Sequence, residues 1–213
     1  MTTTDFSTRC CKNSLTSRAL RLLLVCVLLA AAAVSHAQAL AEITQLRLER
    51  SDDEWQLSTQ LQFEMPAPVE DALLKGIPMV FVVSADVLRE RWYWLSDKKV
   101  LSVERTMRLA YQPLTRRWRL NVNAGAPVSS GVGLALNQSF DTLAQALSVI
   151  KRIAKWKIAD ANELDGSAKH KVDFRFKLDL GQLPRPFQIG AIGQSDWDIS
   201  ATALIPLVAE SPR

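Results

Sequence analysis

The sequence predicts a mainly β protein: an antiparallel, sandwich-like sheet with one clear amphipathic helix (about 140–154) and a short second helix (about 68–75). Three observations carry this. Period-two alternation dominates the chain beyond residue 40, turn-forming residues separate the alternating runs at short spacing, and two segments have a helical period. In Trp55–Phe63 every odd position but Thr59 is apolar and every even position is polar. From Lys169 to Leu180 the even positions run His170, Val172, Phe174, Phe176, Leu178 and Leu180, while every odd position is charged. Such alternation places one face on a core and the other in water, which antiparallel sheets allow and buried parallel sheets do not.

The other elements follow in order. Pro68–Lys75 has a proline suited to a first helical turn and Gly76 as a stop. Met79–Leu95 changes phase: Phe81, Val83, Ala85 and Val87 share one parity, and Trp92 and Trp94 the other. A one-residue slip inverts every side chain, so a β-bulge or break is expected near Leu88–Arg91. Leu101–Tyr111 points Leu101, Val103, Met107, Leu109 and Tyr111 inward, and Trp118–Val122 and Ile199–Ile205 alternate similarly. Ser51-Asp52-Asp53, Ser96-Asp97-Lys98, Gln112-Pro113-Leu114-Thr115 and Asp165-Gly166 stand where hairpin connections belong. Phe140, Leu143, Ala144, Leu147, Ile150, Ile153 and Ala154 form a helical stripe. Ser139 is the expected N-cap, with Asp141 at the positive end of the helix dipole and Lys151, Arg152 and Lys155 at the negative end. The expected order is ββαβββ, an irregular loop from Ala124 to Gly133, then αβββ.

Residues 1–39 read as a secretory signal peptide: basic Arg18 and Arg21, an apolar run from Leu22 to Val34, then Ala37-Gln38-Ala39 as an A-x-A cleavage site. The 13-residue run is shorter than the ~20 residues of a transmembrane helix, although an uncleaved anchor over residues 20–41 is the alternative. Val25 before Cys26 is too large for a lipoprotein site. Residues 40–213 are then one exported domain of 174 residues, long enough for a self-supporting core.

All three cysteines (Cys10, Cys11 and Cys26) belong to the leader, so the mature chain has no disulfide framework and no thiolate chemistry. The leader also holds four of the 26 basic and one of the 22 acidic side chains, leaving 22 against 21 and a net charge of +1. The basic pI therefore belongs largely to the leader, and a nucleic-acid partner is not expected.

Catalytic residue types are scarce. His170 is the only histidine left after the leader, and it reads as a partly buried strand-end residue. One histidine and no cysteine argue against zinc or transition-metal sites. Val128-Ser129-Ser130-Gly131 is not G-x-S-x-G, and no Lys-Ser/Thr follows the glycines at 125, 131 and 133, so neither a hydrolase elbow nor a phosphate loop is present. Asp160–Gly166 superficially resembles a calcium loop, but Leu164 and Lys171 occupy ligand positions and Gly166 falls one place late. No cofactor is expected. Nothing nominates a pair of carboxylates for glycoside cleavage.

Two features are candidate interaction surfaces. In Arg89-Glu90-Arg91-Trp92-Tyr93-Trp94, Arg89, Arg91 and Tyr93 share one strand face and Trp92 and Trp94 the other. This is either core tryptophan beneath exposed arginine or an aromatic platform for sugars or a protein. Arg116, Arg117 and Arg119, joined by Arg105 and Arg108 as outward residues, form either a solvated face or a contact for anionic lipid or an acidic partner.

Three stretches carry a resemblance: Arg105–Leu120, Trp156–Asp160, and Leu183-Pro-Arg-Pro-Phe-Gln-Ile-Gly190 with Asp196-Trp197. Together they resemble a proteobacterial family, the domain-of-unknown-function 4390 family, over roughly residues 41–207. The resemblance implies a Gram-negative source and, with the leader, the periplasm; its context hints at a two-component sensor kinase. It implies no activity and no site residues. The two prolines of Leu183–Phe187 favour an extended segment, either a rigid lead-in to the last strand or a peptide-like ligand for a partner. The expected function is a non-enzymatic binding or accessory domain of the envelope, with an envelope or inner-membrane protein as partner. The alternatives are a carrier whose sheet and Phe140 helix enclose a hydrophobic ligand, and a carboxylate-based hydrolase of cell-wall glycans.

Overall fold

The computed structural model describes residues 40–51, 53–91, 97–124, 134–164, 168–191 and 193–207, all within one compact unit, Ala39–Arg213. In chain order the elements are β1 (Ala41–Ser51), β2 (Glu54–Phe63), α1 (Ala67–Leu74), β3 (Met79–Arg89), β4 (Lys98–Gln112), β5 (Arg117–Ala124), β6 (Leu134–Phe140), α2 (Leu143–Lys151), β7 (Arg152–Asp160), β8 (His170–Leu178), α3 (Arg185–Ala191) and β9 (Ser200–Pro206). They form a three-stranded sheet, β1-β2-β7, and a six-stranded sheet, β6-β5-β4-β3-β8-β9. Every ladder is antiparallel. No helix among the described residues is long and apolar enough to cross a membrane.

The alternating strands bury the faces that their sequence assigns to the core. Val172, Phe174, Phe176 and Leu178 on β8 are buried, as are Val103, Met107 and Leu109 on β4, and His170 is buried at the strand end. Three rings join the two sheets. Phe81 of β3 stacks on Phe176 of β8 with centroids 5.7 Å apart, and Phe63 of β2 meets them at 6.0 and 5.4 Å. Thr59, the exception in its strand, is buried too, and its hydroxyl donates to the Gln45 carbonyl at 2.8 Å.

Helix α1 starts with a proline in its first turn and ends before Gly76 at φ +82, a left-handed backbone that favours glycine. β3 keeps its register with β8 without a shift and ends at Arg89, a break inside the stretch expected to hold a bulge or break; the β3–β4 slip between Val87 and Leu88 places its extra residue, Val100, on β4, and Trp92–Ser96 lie outside the described residues.

The expected helix over 140–154 is shorter. Helix α2 runs only from Leu143 to Lys151, capped by Thr142, whose hydroxyl accepts from the Gln145 N–H at 3.3 Å. Ser139 and Phe140 belong to β6, paired with Arg119 and Trp118, while Ile153 and Ala154 belong to β7. Phe140 and Ile153 pack into the same core as the helix, so three elements in succession present one apolar stripe. A bulge in β7 completes the mimicry. Lys155, at φ 48, donates its N–H to Ser58 Oγ, and the register shifts so that Ile153 and Trp156 are both buried three residues apart. Thr142→Ala should therefore lower stability by about 1 kcal/mol, a ~2–4 °C fall in the thermal midpoint. Ser139→Ala should stay within about 0.5 kcal/mol.

The proline segment also differs from expectation. It is not extended beyond Pro184: Arg185–Ala191 forms α3, and the Pro184 carbonyl accepts from the N–H groups of Phe187 and Gln188. Pro186 falls in the first turn, where a missing N–H costs nothing.

Candidate functional site

The outer face of the six-stranded sheet, opposite the core, carries a groove of about 600 Å³. Its side chains are placed by register. One row crosses four strands: Val80 on β3, Arg108 on β4, Asn121 on β5 and Asn137 on edge strand β6. The next row is Val82, Thr106 and Asn123. Val80 and Val82 are 8% and 9% exposed, an apolar floor beneath polar walls. Asn121 Nδ2 donates to Asn137 Oδ1 at 2.6 Å. Arg119 pairs with Ala110 and so stands diagonally beside Arg108, ~7–8 Å away at sheet spacing. Asp179 and Gln182, from the turn after β8, also line the groove.

No carboxylate among the described residues lies within ion-pair distance of Arg108 or Arg119. Two unpaired guanidinium groups beside asparagine amides can grip carboxylates or peptide carbonyls, since guanidinium offers a planar fork of donors and the amides donate and accept. Two carboxylates, Glu104 and Asp179, line the groove. The Asp179 N–H donates to the Val80 carbonyl, opposite Arg108, so its backbone stands about four β4 residues, roughly 13 Å along the strand, from that of Glu104.

Farther along the same face the charges neutralise one another. Asp86 on β3 is 3% exposed although it faces outward. Lys99 Nζ lies 2.6 Å from it, Ser102 Oγ donates to it at 2.5 Å, and Arg175, itself bonded to Asp173, reaches it at 3.8 Å. Burial pushes the Asp86 carboxyl upward, but the bonds from Lys99 and Ser102 and the charges of Lys99 and Arg175 prevail and hold it below the usual aspartate value. A second cleft, of about 500 Å³, is lined by Glu90, Arg91, Asp97, Lys169 and Lys171, with Lys171 ion-paired to Glu90 at 2.6 Å.

The residues nominated from sequence do not form one site. Arg89 ends β3 opposite Lys98, whereas Arg117 starts β5 opposite Gln112, at the other end of the long β4 strand. Arg91 lines the second cleft, and Trp92, Tyr93 and Trp94 lie outside the described residues. Arg116 occupies the β4–β5 turn at φ 52, and Arg117 pairs with Asp141 at 3.1 Å. Of the five nominated residues that are described, only Arg119 lines the main groove, where it meets Arg108. Arg105 corrects the expectation of an outward residue: it shares the inward parity of Val103 and Met107 and lies over the Trp156 ring of β7 at 5.1 Å. The sequence reading missed Thr106, Asn121, Asn123 and Asn137. The polar alternation Arg119-Asn121-Asn123 was a visible signal, but its juxtaposition with β6 was not.

No curated protein and no solved structure matches the chain. Residues 38–204 match the family described as a domain of unknown function (DUF4390), and the chain belongs to that family.

Proposed function

We propose that this chain is a non-enzymatic binding or accessory domain of the cell envelope, exported to the periplasm, which holds a protein partner on the outer face of its larger sheet. The observation that supports it most is the groove itself. Arg108 and Arg119 stand without carboxylate partners among the described residues, beside Asn121, Asn123 and Asn137, over the apolar floor of Val80 and Val82. Arginine is a recurrent anchor of protein interfaces, and an apolar floor rewards burial by a partner segment. A chamber for a hydrophobic ligand has less support. Ala146, Leu147 and Ile150 of α2 are buried in the same core as Trp118 and Leu120, occupying the space between helix and sheet.

A photo-crosslinking residue at Thr106 or Asn123 should capture one envelope protein in intact cells, with an inner-membrane sensor kinase the first partner to test. Arg108 and Arg119 are exposed, so the double variant Arg108→Glu/Arg119→Glu should fold normally. It should lose adduct at least ~10-fold, equivalent to about 1.4 kcal/mol. Equal capture from exposed Gln62 on the other sheet, or capture indifferent to the charge reversal, would overturn the reading.

A further inference from the structure

Arg105 carries a second inference, on the opposite side of the same sheet. Its neighbours of like parity on β4, Val103, Met107 and Leu109, are all buried and apolar. The guanidinium lies over Trp156, its Nε is buried without a hydrogen-bond partner, and no carboxylate among the described residues pairs with it. The sequence from Gly125 to Gly133, next along the chain from the strand that pairs with Arg105, contains no acidic residue. A guanidinium stays protonated at any ordinary pH, so this is a charge partly removed from water with no carboxylate beside it among the described residues. A charge held in such surroundings without a carboxylate partner is a candidate for a functional role.

Among the described residues, part of the apolar surface on this side of the sheet is exposed. Leu136 on β6 pairs with Val122 and shares its inward parity, yet it is 55% exposed and Val122 is only half-buried. Helix α2 follows β6 directly after the Phe140 end, where Trp118 is buried, at the other end of the strand from Leu134. Leu136 stands two strands and two residues from Arg105, roughly 12 Å at sheet spacing.

We propose that Arg105 receives the anionic head of an amphiphilic ligand, a carboxylate or phosphate on an apolar chain, whose chain lies along Val122 and Leu136. The guanidinium would meet the head in bidentate fashion while Trp156 holds it in place. Burial, which pulls the Arg105 guanidinium below its usual range, agrees with a charge awaiting a counter-ion.

Dodecanoate, kept below its micelle-forming range, is the probe, and tryptophan fluorescence is the readout, because Trp156 adjoins the guanidinium. Wild-type protein should bind it saturably, and acetate or inorganic phosphate at the same concentration should not displace it. Arg105→Met should weaken binding at least ~10-fold, Arg105→Lys should retain part of it, and Leu136→Asp, at an exposed position, should also weaken it. Far-ultraviolet circular dichroism establishes that each variant is folded, and Leu136→Asp carries the comparison if Arg105→Met is not. Equal binding by wild type, Arg105→Met and Leu136→Asp, equal binding of acetate or phosphate, or no saturable binding would each overturn the proposal. None of these outcomes bears on the outer groove, which uses other residues on the other face.

Discussion

Phe176→Ala should destabilise the protein by about 3–5 kcal/mol, seen as a fall of roughly 6–20 °C in the thermal midpoint. Phe176 is 1% exposed, stacks on Phe81 within its own sheet, and meets Phe63 of the opposing sheet at 5.4 Å. Truncation removes the transfer energy of the ring and leaves a cavity where the sheets meet, and neither β2 nor β8 can collapse into it without breaking its ladder. Phe187→Ala is the control, because Phe187 is only half-buried on the short α3 and should cost less than about 2 kcal/mol. A Phe176→Ala loss no larger than that of the control, in urea unfolding of both variants, would refute the three-ring junction as the main join between the sheets.

Asp86→Asn should cost about 1–3 kcal/mol near neutral pH, and that cost should disappear in acid. The carboxylate is covered by Lys99, Ser102 and Arg175, and the asparagine variant loses the charge that all three address. The loss stays below the ~3–5 kcal/mol of a fully buried broken pair, because the Lys99 and Arg175 side chains are 53% and 50% exposed and can turn to water. The sign follows from the depressed folded value. In the unfolded chain the carboxyl titrates near 3.8, and in the folded chain it titrates lower. Its contribution is therefore present above about 3.8 and is lost as pH falls through the folded value. Urea unfolding of wild type and Asp86→Asn at neutral pH and well below 3.8 measures the difference between them. A gap that persists undiminished in acid would refute an ionised, network-held Asp86.

Most strand faces were legible because alternation is a local property. His170–Leu178 announces its buried and exposed faces residue by residue, and a partner strand can only agree. The end of β3 at Arg89 was legible for the same reason, as a change of parity within one run. What misled was apolar spacing that passes through three elements. Phe140, Leu147, Ile150 and Ile153 read as a single helix, although the first lies on β6 and the last on β7. The bulge at Lys155 restores a three-residue spacing in a strand, and nothing local distinguishes that from a helix. The prolines of Leu183–Phe187 misled differently: their effect depends on position, and at the start of α3 they are compatible with the helix they would break if placed centrally.

The candidate site was less legible still. Arg119 was nominated with Arg116 and Arg117 because the three are close in sequence, yet Arg117 turns to Asp141 and Arg116 lies in a turn. Arg119's neighbours in the groove are Arg108, on the preceding strand, and Asn137, on the following one. By itself the sequence determined the β class, the inward and outward faces of most strands, the short first helix and the family likeness, since each rests on residues within one segment. The tertiary structure alone decided that Arg108, Asn121 and Asn137 form a row, that Arg105 lies over Trp156, and that the helical stripe ends in a strand. Those outcomes depend on pairing between residues far apart in the chain, and a one-residue change of register would have produced a different surface.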